Sequence, residues 1–136
     1  MMAHKVGDWM SSPVIVVDPD TTVSFALTLM RRRNIHSVVV NLPDEEGKYG
    51  IVTITDIRNK IIAKQRKPTE TSIREIMSYP VITAQADWSL VKCSSVMQEN
   101  HINHLPVVDK YNNLVGIIST TDIFIAAEET GWEDAY

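Results

Sequence analysis

The sequence predicts a mixed α/β (α+β) protein built from one β-α-β-β-α unit used twice, the two copies packed with pseudo-twofold symmetry. Three observations point there. Displaced by 67 residues, the chain falls on itself: Met10-Ser11-Ser12-Pro13-Val14-Ile15 lies on Met77-Ser78-Tyr79-Pro80-Val81-Ile82, and Asp20, Met30, Ile35 and Val40 lie on Asp87, Met97, Ile102 and Val107. Short β-branched runs alternate with apolar residues at helical spacing, in the same order in both copies. After a loop one residue shorter in the second copy, Gly50-Ile51-Val52-Thr53-Ile54-Thr55-Asp56 matches Gly116-Ile117-Ile118-Ser119-Thr120-Thr121-Asp122.

Within each copy the elements follow in order. Val14-Ile15-Val16-Val17 is a β-branched run stopped by Asp18-Pro19-Asp20, and Val81-Ile82-Thr83 does the same job in the second copy, so both read as brief opening strands. Val23, Ala26, Leu27 and Met30 recur at helical spacing after Thr21 and Thr22 as N-cap candidates, and Leu90, Cys93, Val96 and Met97 recur after Asp87 and Ser89. Arg31-Arg32-Arg33 closes the first helix, where cations oppose the C-terminal dipole and face water. Ser37–Val40 and Leu105–Val108 read as core strands, with Ile51–Thr53 and Leu114–Ile118 as hairpin partners across polar loops at 41–48 and 109–113. Arg58–Lys67 is a basic, helix-compatible stretch that Pro68 ends. Pro68-Thr69-Glu70-Thr71 is the natural linker and divides the chain into 1–67 and 68–136. Ser72-Ile73-Arg74-Glu75 then has capping-box form and restarts a short helix. A unit of about 65 residues sits near the lower size limit for an independent core, so neither half is expected to stand alone.

Size and composition exclude several classes of function. At 136 residues and 15.3 kDa, the chain is one domain or two small packed halves, not an enzyme with separate cofactor and substrate lobes. Thirteen basic against seventeen acidic side chains give net −4, which disfavours phosphate neutralisation, so no nucleic-acid partner is expected. No apolar run approaches the roughly 18–20 residues that span a bilayer, and the start lacks a basic segment followed by an apolar one, so the expectation is a cytoplasmic protein with no membrane partner. The single Cys93 cannot close an internal disulfide and fits a reducing compartment. His101 lies at a helix end and His104 on a strand, so with Cys93 they share no face and no metal site is expected. Neither a Gly-rich phosphate loop nor a GxSxG elbow is present, and no catalytic residue is assigned. Trp88, a large ring at a turn where the first copy has Thr21, leaves open whether it docks a partner.

The chain resembles a tandem pair of cystathionine beta-synthase (CBS) domains, a Bateman module, over about residues 6 to 124. The resemblance is carried by Val6-Gly7-Asp8-Trp9-Met10 and Ile73-Arg74-Glu75-Ile76-Met77 before a Pro-led strand, by His104-Leu105-Pro106-Val107-Val108-Asp109, and above all by the two matched heptads. It implies a homodimeric regulatory module without catalytic activity. Such a module binds an adenosine-containing ligand, AMP, ADP or ATP and sometimes S-adenosylmethionine, in clefts between its halves and signals to a separate protein. A non-binding dimeric scaffold that regulates a partner by contact is the alternative.

Residue chemistry supports the ligand reading independently. Asp56 or Asp122, at a helix start, offers two acceptor oxygens to the vicinal diol of a ribose. Thr53, Thr55, Ser119 and Thr121 supply hydroxyls beside helix amides and a dipole that favour phosphate. Adenine is expected against the apolar residues Val14, Ile15, Val81 and Ile82. Capping needs Thr55 and Thr121 but has no use for Thr53 and Ser119, two residues earlier on a strand end. By resemblance, the positions before the core strand that meet phosphate are His36 and Ser37 in the first copy and Asn103 and His104 in the second. Val39 replaces the family proline in the first copy. A histidine carries only partial charge at neutral pH where an arginine would be fully charged, which suits AMP or a ligand with little phosphate.

Overall fold

The computed structural model describes residues 4–12, 14–45 and 48–132. Pro13, Glu46, Gly47 and the tail 133–136, part of the readings above, lie outside them. In chain order the elements are α1 (Val6–Trp9), β1 (Val16–Val17), α2 (Val23–Arg33), β2 (Ser37–Asn41), β3 (Tyr49–Thr53), α3 (Ile54–Ile57), β4 (Ala84–Gln85), α4 (Leu90–Asn100), β5 (His104–Val108), β6 (Leu114–Ser119) and α5 (Thr120–Thr130). Two three-stranded sheets result, β1-β2-β3 and β4-β5-β6, each with a parallel first pair and an antiparallel second pair.

The compact units do not coincide with the sequence division at Pro68. Ile15–Val81 forms one, while the chain up to Val14 joins the chain from Ile82 to form the other. Each unit therefore contains the leading segment of the opposite repeat, and the hydrogen bonds show how that segment is held. In the first unit, Val23, Ile73 and Arg74 amides donate to the carbonyls of Thr71, Thr21 and Pro19 at 2.8–2.9 Å. In the second, Leu90, Val6 and Gly7 amides donate to the carbonyls of His4, Trp88 and Ala86 at 2.8–3.2 Å. These bonds seat apolar side chains. Ile73 and Ile76 enter the core formed by Val23, Ala26, Met30, Val38, Val40 and Val52, and Val6 enters the core formed by Leu90, Cys93, Met97, Leu105 and Ile118.

The helices form where capping and apolar spacing agree. Thr22 and Ser89 accept from the amides of Phe25 and Lys92, Asn34 and His101 end the helices in the left-handed region, and Val23, Ala26, Met30, Leu90, Cys93 and Met97 face inward. Arg31, Arg32 and Arg33 are exposed in the last turn of α2, as their dipole role requires. Glu75 reaches back as anticipated, accepting from the Ser72 amide at 2.7 Å and hydroxyl at 3.1 Å, while its own amide donates to the Ser72 carbonyl; the Ser72 amide, followed by Arg66, holds the Glu75 carboxyl below the ordinary carboxylate value.

Two expectations are corrected. The opening strands are Val16–Val17 and Ala84–Gln85, not 14–17 and 81–83. The reason is local: the chain just before each is drawn away to bridge the outer edge of a hairpin, Ser11 with Ile117 and Ser78 with Ile51, and only the Ile15 carbonyl still pairs with β2. The stretch 58–67 is not one helix: α3 widens into a π-helical turn over Arg58–Ile62, Ala63 caps it, and Pro68–Glu70 and Ile73–Glu75 are 3-10 turns. Trp88, whose role the sequence leaves open, packs partly buried against the core of its unit, with Lys92 Nζ 4.5 Å above the ring centre.

The crossing segments also explain why each heptad begins with glycine. A Cβ on Gly116 would lie 2.4 Å from Met10 Sδ and 3.0 Å from the Ser11 carbonyl oxygen; on Gly50 it would lie 3.0 Å from Met77 Sδ and 3.2 Å from the Ser78 carbonyl oxygen. Gly116→Ala is therefore expected to lower thermal stability by about 1–3 kcal/mol, the range of overpacking, and Gly50→Ala by less. Thermal melts of the two variants check this; equal melting temperatures would refute the ranking.

Candidate functional site

Each hairpin passes into a helix without an intervening loop, and the heptad sits on that junction. Thr53 ends β3 with extended backbone and caps α3: the Thr53 amide and hydroxyl donate to Asp56 Oδ2 at 2.9 and 3.3 Å, and the Asp56 amide donates to Thr53 Oγ1 at 3.3 Å. Ser119 and Asp122 repeat the pattern at α5 with 2.8, 3.0 and 3.2 Å. The expectation that capping has no use for Thr53 and Ser119 is thus overturned. They are the N-caps, because the helix starts one residue after the strand ends and the aspartate falls at the third helical position. Thr55 and Thr121 are exposed on the first turn, and their hydroxyls have no partner among the described residues.

The two copies differ at the second carboxylate oxygen. Asp56 Oδ1 lies 3.0 Å from Lys60 Nζ, and the Asp56 side chain keeps 12% of its surface exposed. Lys60 also donates to the carbonyl of Ile76 at 2.8 Å. Four residues after Asp122 stands Ala126, fully buried, with no charge to offer. Asp122 is half-buried, and its Oδ1 has no partner among the described residues. The sequence signal for Lys60 is the spacing alone, an acid followed four residues later by a base on a helix.

Around each box the strand ends contribute backbone and side chains. The carbonyls of His36 and Asn103 accept from the amides of Ile54 and Thr120 at 3.1 and 2.9 Å, tying each core strand to the start of the following helix. The His36 side chain itself is exposed. Ser37 stands opposite Thr53 across the hairpin, and His104 opposite Ser119, which puts His104 on the same face as the second box. The Thr120 hydroxyl donates to Asn103 Oδ1 at 3.2 Å. A recess of about 340 Å³ opens beside Asn103 and Thr120, walled by Met97, His101, Ile102 and Ile123. The residues expected to face adenine are not gathered there: Val14 and Ile82 do not line it, and Ile15 packs against the core of its own unit with Val81 in that same unit.

No cluster of three metal-ligating side chains occurs among the described residues, and no helix among them is long and apolar enough to cross a membrane. Within its unit, the second junction presents one open carboxylate oxygen, one open hydroxyl and the amides at the start of an eleven-residue helix. Such a set can grip a hydroxylated or anionic small molecule.

The CBS domain family matches the chain at residues 6–63 and 73–129, each match containing one heptad. The protein MK0525 of Methanopyrus kandleri is 32% identical over 123 residues, 90% of this chain, which spans 62% of that relative's length. YhcV, a CBS domain-containing protein of Bacillus subtilis, is 33% identical over 122 residues, covering 89% of this chain and 84% of its own. Among solved structures, the hexameric CBS-CP12 protein from bloom-forming cyanobacteria aligns with a TM-score of 0.86 at 27% identity, over 93% of this chain and 72% of that one. The CBS domain pair of protein MJ0100, in complex with 5′-methylthioadenosine and S-adenosyl-L-methionine, aligns with a TM-score of 0.81 at 32% identity, over 95% of this chain and 99% of that one. Two family matches, each carrying one sheet and one capped Asp heptad in the same order, make this chain a member of the CBS domain family, a tandem pair of the Bateman type.

Proposed function

We propose that this CBS pair is a regulatory module that binds an adenosine-containing small molecule at the second repeat, around Ser119, Thr121 and Asp122, and reports its occupancy to a separate protein. The observation that carries the reading is the open Oδ1 of Asp122. Its other oxygen is held by the cap, so Oδ1 and the neighbouring Thr121 hydroxyl are what remains to meet a ribose diol. No arginine flanks this box, and the side chains beside it are Asn103 and His104. That favours ligands with little or no phosphate, AMP or S-adenosylmethionine over ADP and ATP, and the adenosine compounds bound by the MJ0100 pair are of this kind. A ligand signals here only by its differential affinity for two arrangements of the module.

Association with a second copy belongs to the same proposal. Phe124 and Ile125 on α5 and Trp132 beyond it are 56%, 40% and 51% exposed, the Phe124 and Trp132 rings meeting edge to face, and neighbouring exposed apolar side chains of this kind suit contact with a second copy. Light scattering is expected to give a dimer, and a stable monomer at micromolar concentration would defeat that part.

Isothermal titration with AMP, ADP, ATP and S-adenosylmethionine tests the ligand. AMP or S-adenosylmethionine is expected to bind more tightly than ATP, and Asp122→Ala to weaken binding by about one to two decades, the equivalent of roughly 1.5–3 kcal/mol for a lost charge-assisted bond. Unchanged curves for Asp122→Ala would remove that residue from the site. Silence with all four ligands would favour the alternative of a non-binding scaffold.

A further inference from the structure

We propose that Lys60 closes the first heptad, so that the chain takes one adenosine ligand, at Asp122, and none at Asp56. The inference rests on the reading above that Asp122 holds such a ligand. It arises from the chemical difference between the repeats at the second carboxylate oxygen. Asp56 has both oxygens engaged: Oδ2 by the amide and hydroxyl of Thr53, Oδ1 by Lys60 Nζ at 3.0 Å. The ammonium is itself anchored, because it donates at 2.8 Å to the carbonyl of Ile76, whose residue is 1% exposed. A ribose hydroxyl reaching for Asp56 must displace a charge-assisted bond. It would also draw the ammonium off the Ile76 carbonyl, which is buried, although the Lys60 side chain itself keeps 42% of its surface exposed. Asp122 poses no such barrier, since the corresponding helix position is the buried methyl group of Ala126.

The helix geometry separates the copies in the same way. Lys60 lies in the π-helical turn Arg58–Ile62, whereas α5 runs as a regular helix from Thr120 to Thr130. Such turns re-aim side chains relative to a regular helix.

The test is titration of the full chain with AMP and, separately, with S-adenosylmethionine, reading stoichiometry as well as affinity. One ligand per chain is expected. Asp122→Asn should weaken binding tenfold or more, while Asp56→Asn should leave affinity and stoichiometry within twofold of the parent. Lys60→Met keeps the aliphatic stem and removes the charge, and it should raise stoichiometry toward two. Should Lys60→Met fail to fold, as judged by circular dichroism, the two aspartate variants decide alone. Two equivalent ligands on the parent chain would overturn the inference. So would a loss of affinity in Asp56→Asn equal to that in Asp122→Asn, or a Lys60→Met chain that stays at one ligand. Absence of binding of either probe to the parent chain overturns the underlying ligand reading instead, and is told apart because no variant is needed to see it.

Discussion

Residues 1–67 and 68–136, made as separate chains, are expected not to fold, whereas residues 15–81 made as one continuous piece retain a cooperative thermal transition. The cut at Pro68 takes Ile73 and Ile76, 0% and 1% exposed, out of the core that holds Val23, Val38 and Val52. It likewise strips Val6, also 0% exposed, from the core around Leu90, Cys93 and Leu105. Removing one such side chain, as in Ile73→Ala, costs about 2–5 kcal/mol, comparable with the whole stability of many small domains. Removing both isoleucines together with the backbone bonds from Thr71, Ile73 and Arg74 exceeds what a core of this size holds in reserve. The piece 15–81 keeps every member of that core. Dispersed NMR spectra for 1–67 alone, or a featureless spectrum for 15–81, would refute the account.

The exchange of leading segments is the part of the fold least legible in the sequence. Displacement of the chain on itself reveals that Met10 matches Met77 and Gly116 matches Gly50, but a repeat cannot say which sheet each segment crosses. That is settled by close approach, Met10 to Gly116 and Met77 to Gly50, a property of backbones far apart in the chain. The hairpins were legible, because β-branched runs bounded by polar loops define both strands: the expected 37–40 and 105–108 became Ser37–Asn41 and His104–Val108. The opening strands were misplaced by two to three residues, since β-branched composition marks a run but not the point where its partner's register begins.

At the site, residue types were legible and their division of labour was not. Thr53 and Ser119 looked superfluous to capping because residue preferences do not show that strand and helix abut with no loop between them. Once they abut, the strand's last hydroxyl is the cap and the aspartate completes the box. This assignment leaves Thr55 and Thr121, not Thr53 and Ser119, with exposed hydroxyls outside the capping box, the reverse of the division read from the sequence. Lys60 shows the same limit. Its pairing with Asp56 at four residues' spacing could be read, but its second anchor, the carbonyl of Ile76, lies sixteen positions along the chain.

Cys93 provides the second large effect, and it reports on the same core. The thiol is 0% exposed, and burial pushes its pKa from 9.0 up to about 11. Only the thiolate attacks a disulfide reagent, and the buried thiol meets the reagent only when the core opens and its ordinary acidity returns, so labelling at pH 8 follows the small population of the open state. Labelling of the native chain is therefore expected to be slower than labelling of the urea-unfolded chain by a factor on the order of 10³ or more. The same shift fixes the sign of a pH effect. The folded state holds the thiol proton more tightly than the unfolded state, so this contribution to stability is complete below pH 9 and is lost as pH rises from 9 toward 11. Thermal melts from pH 7.5 to 10.5 should fall more steeply for the parent chain than for Cys93→Ala, whose curve lacks this component. Fast labelling of the native protein at pH 8 would refute the buried placement. In residues 68–136 alone, where Val6 no longer covers the cluster, the thiol should instead react at nearly the unfolded rate.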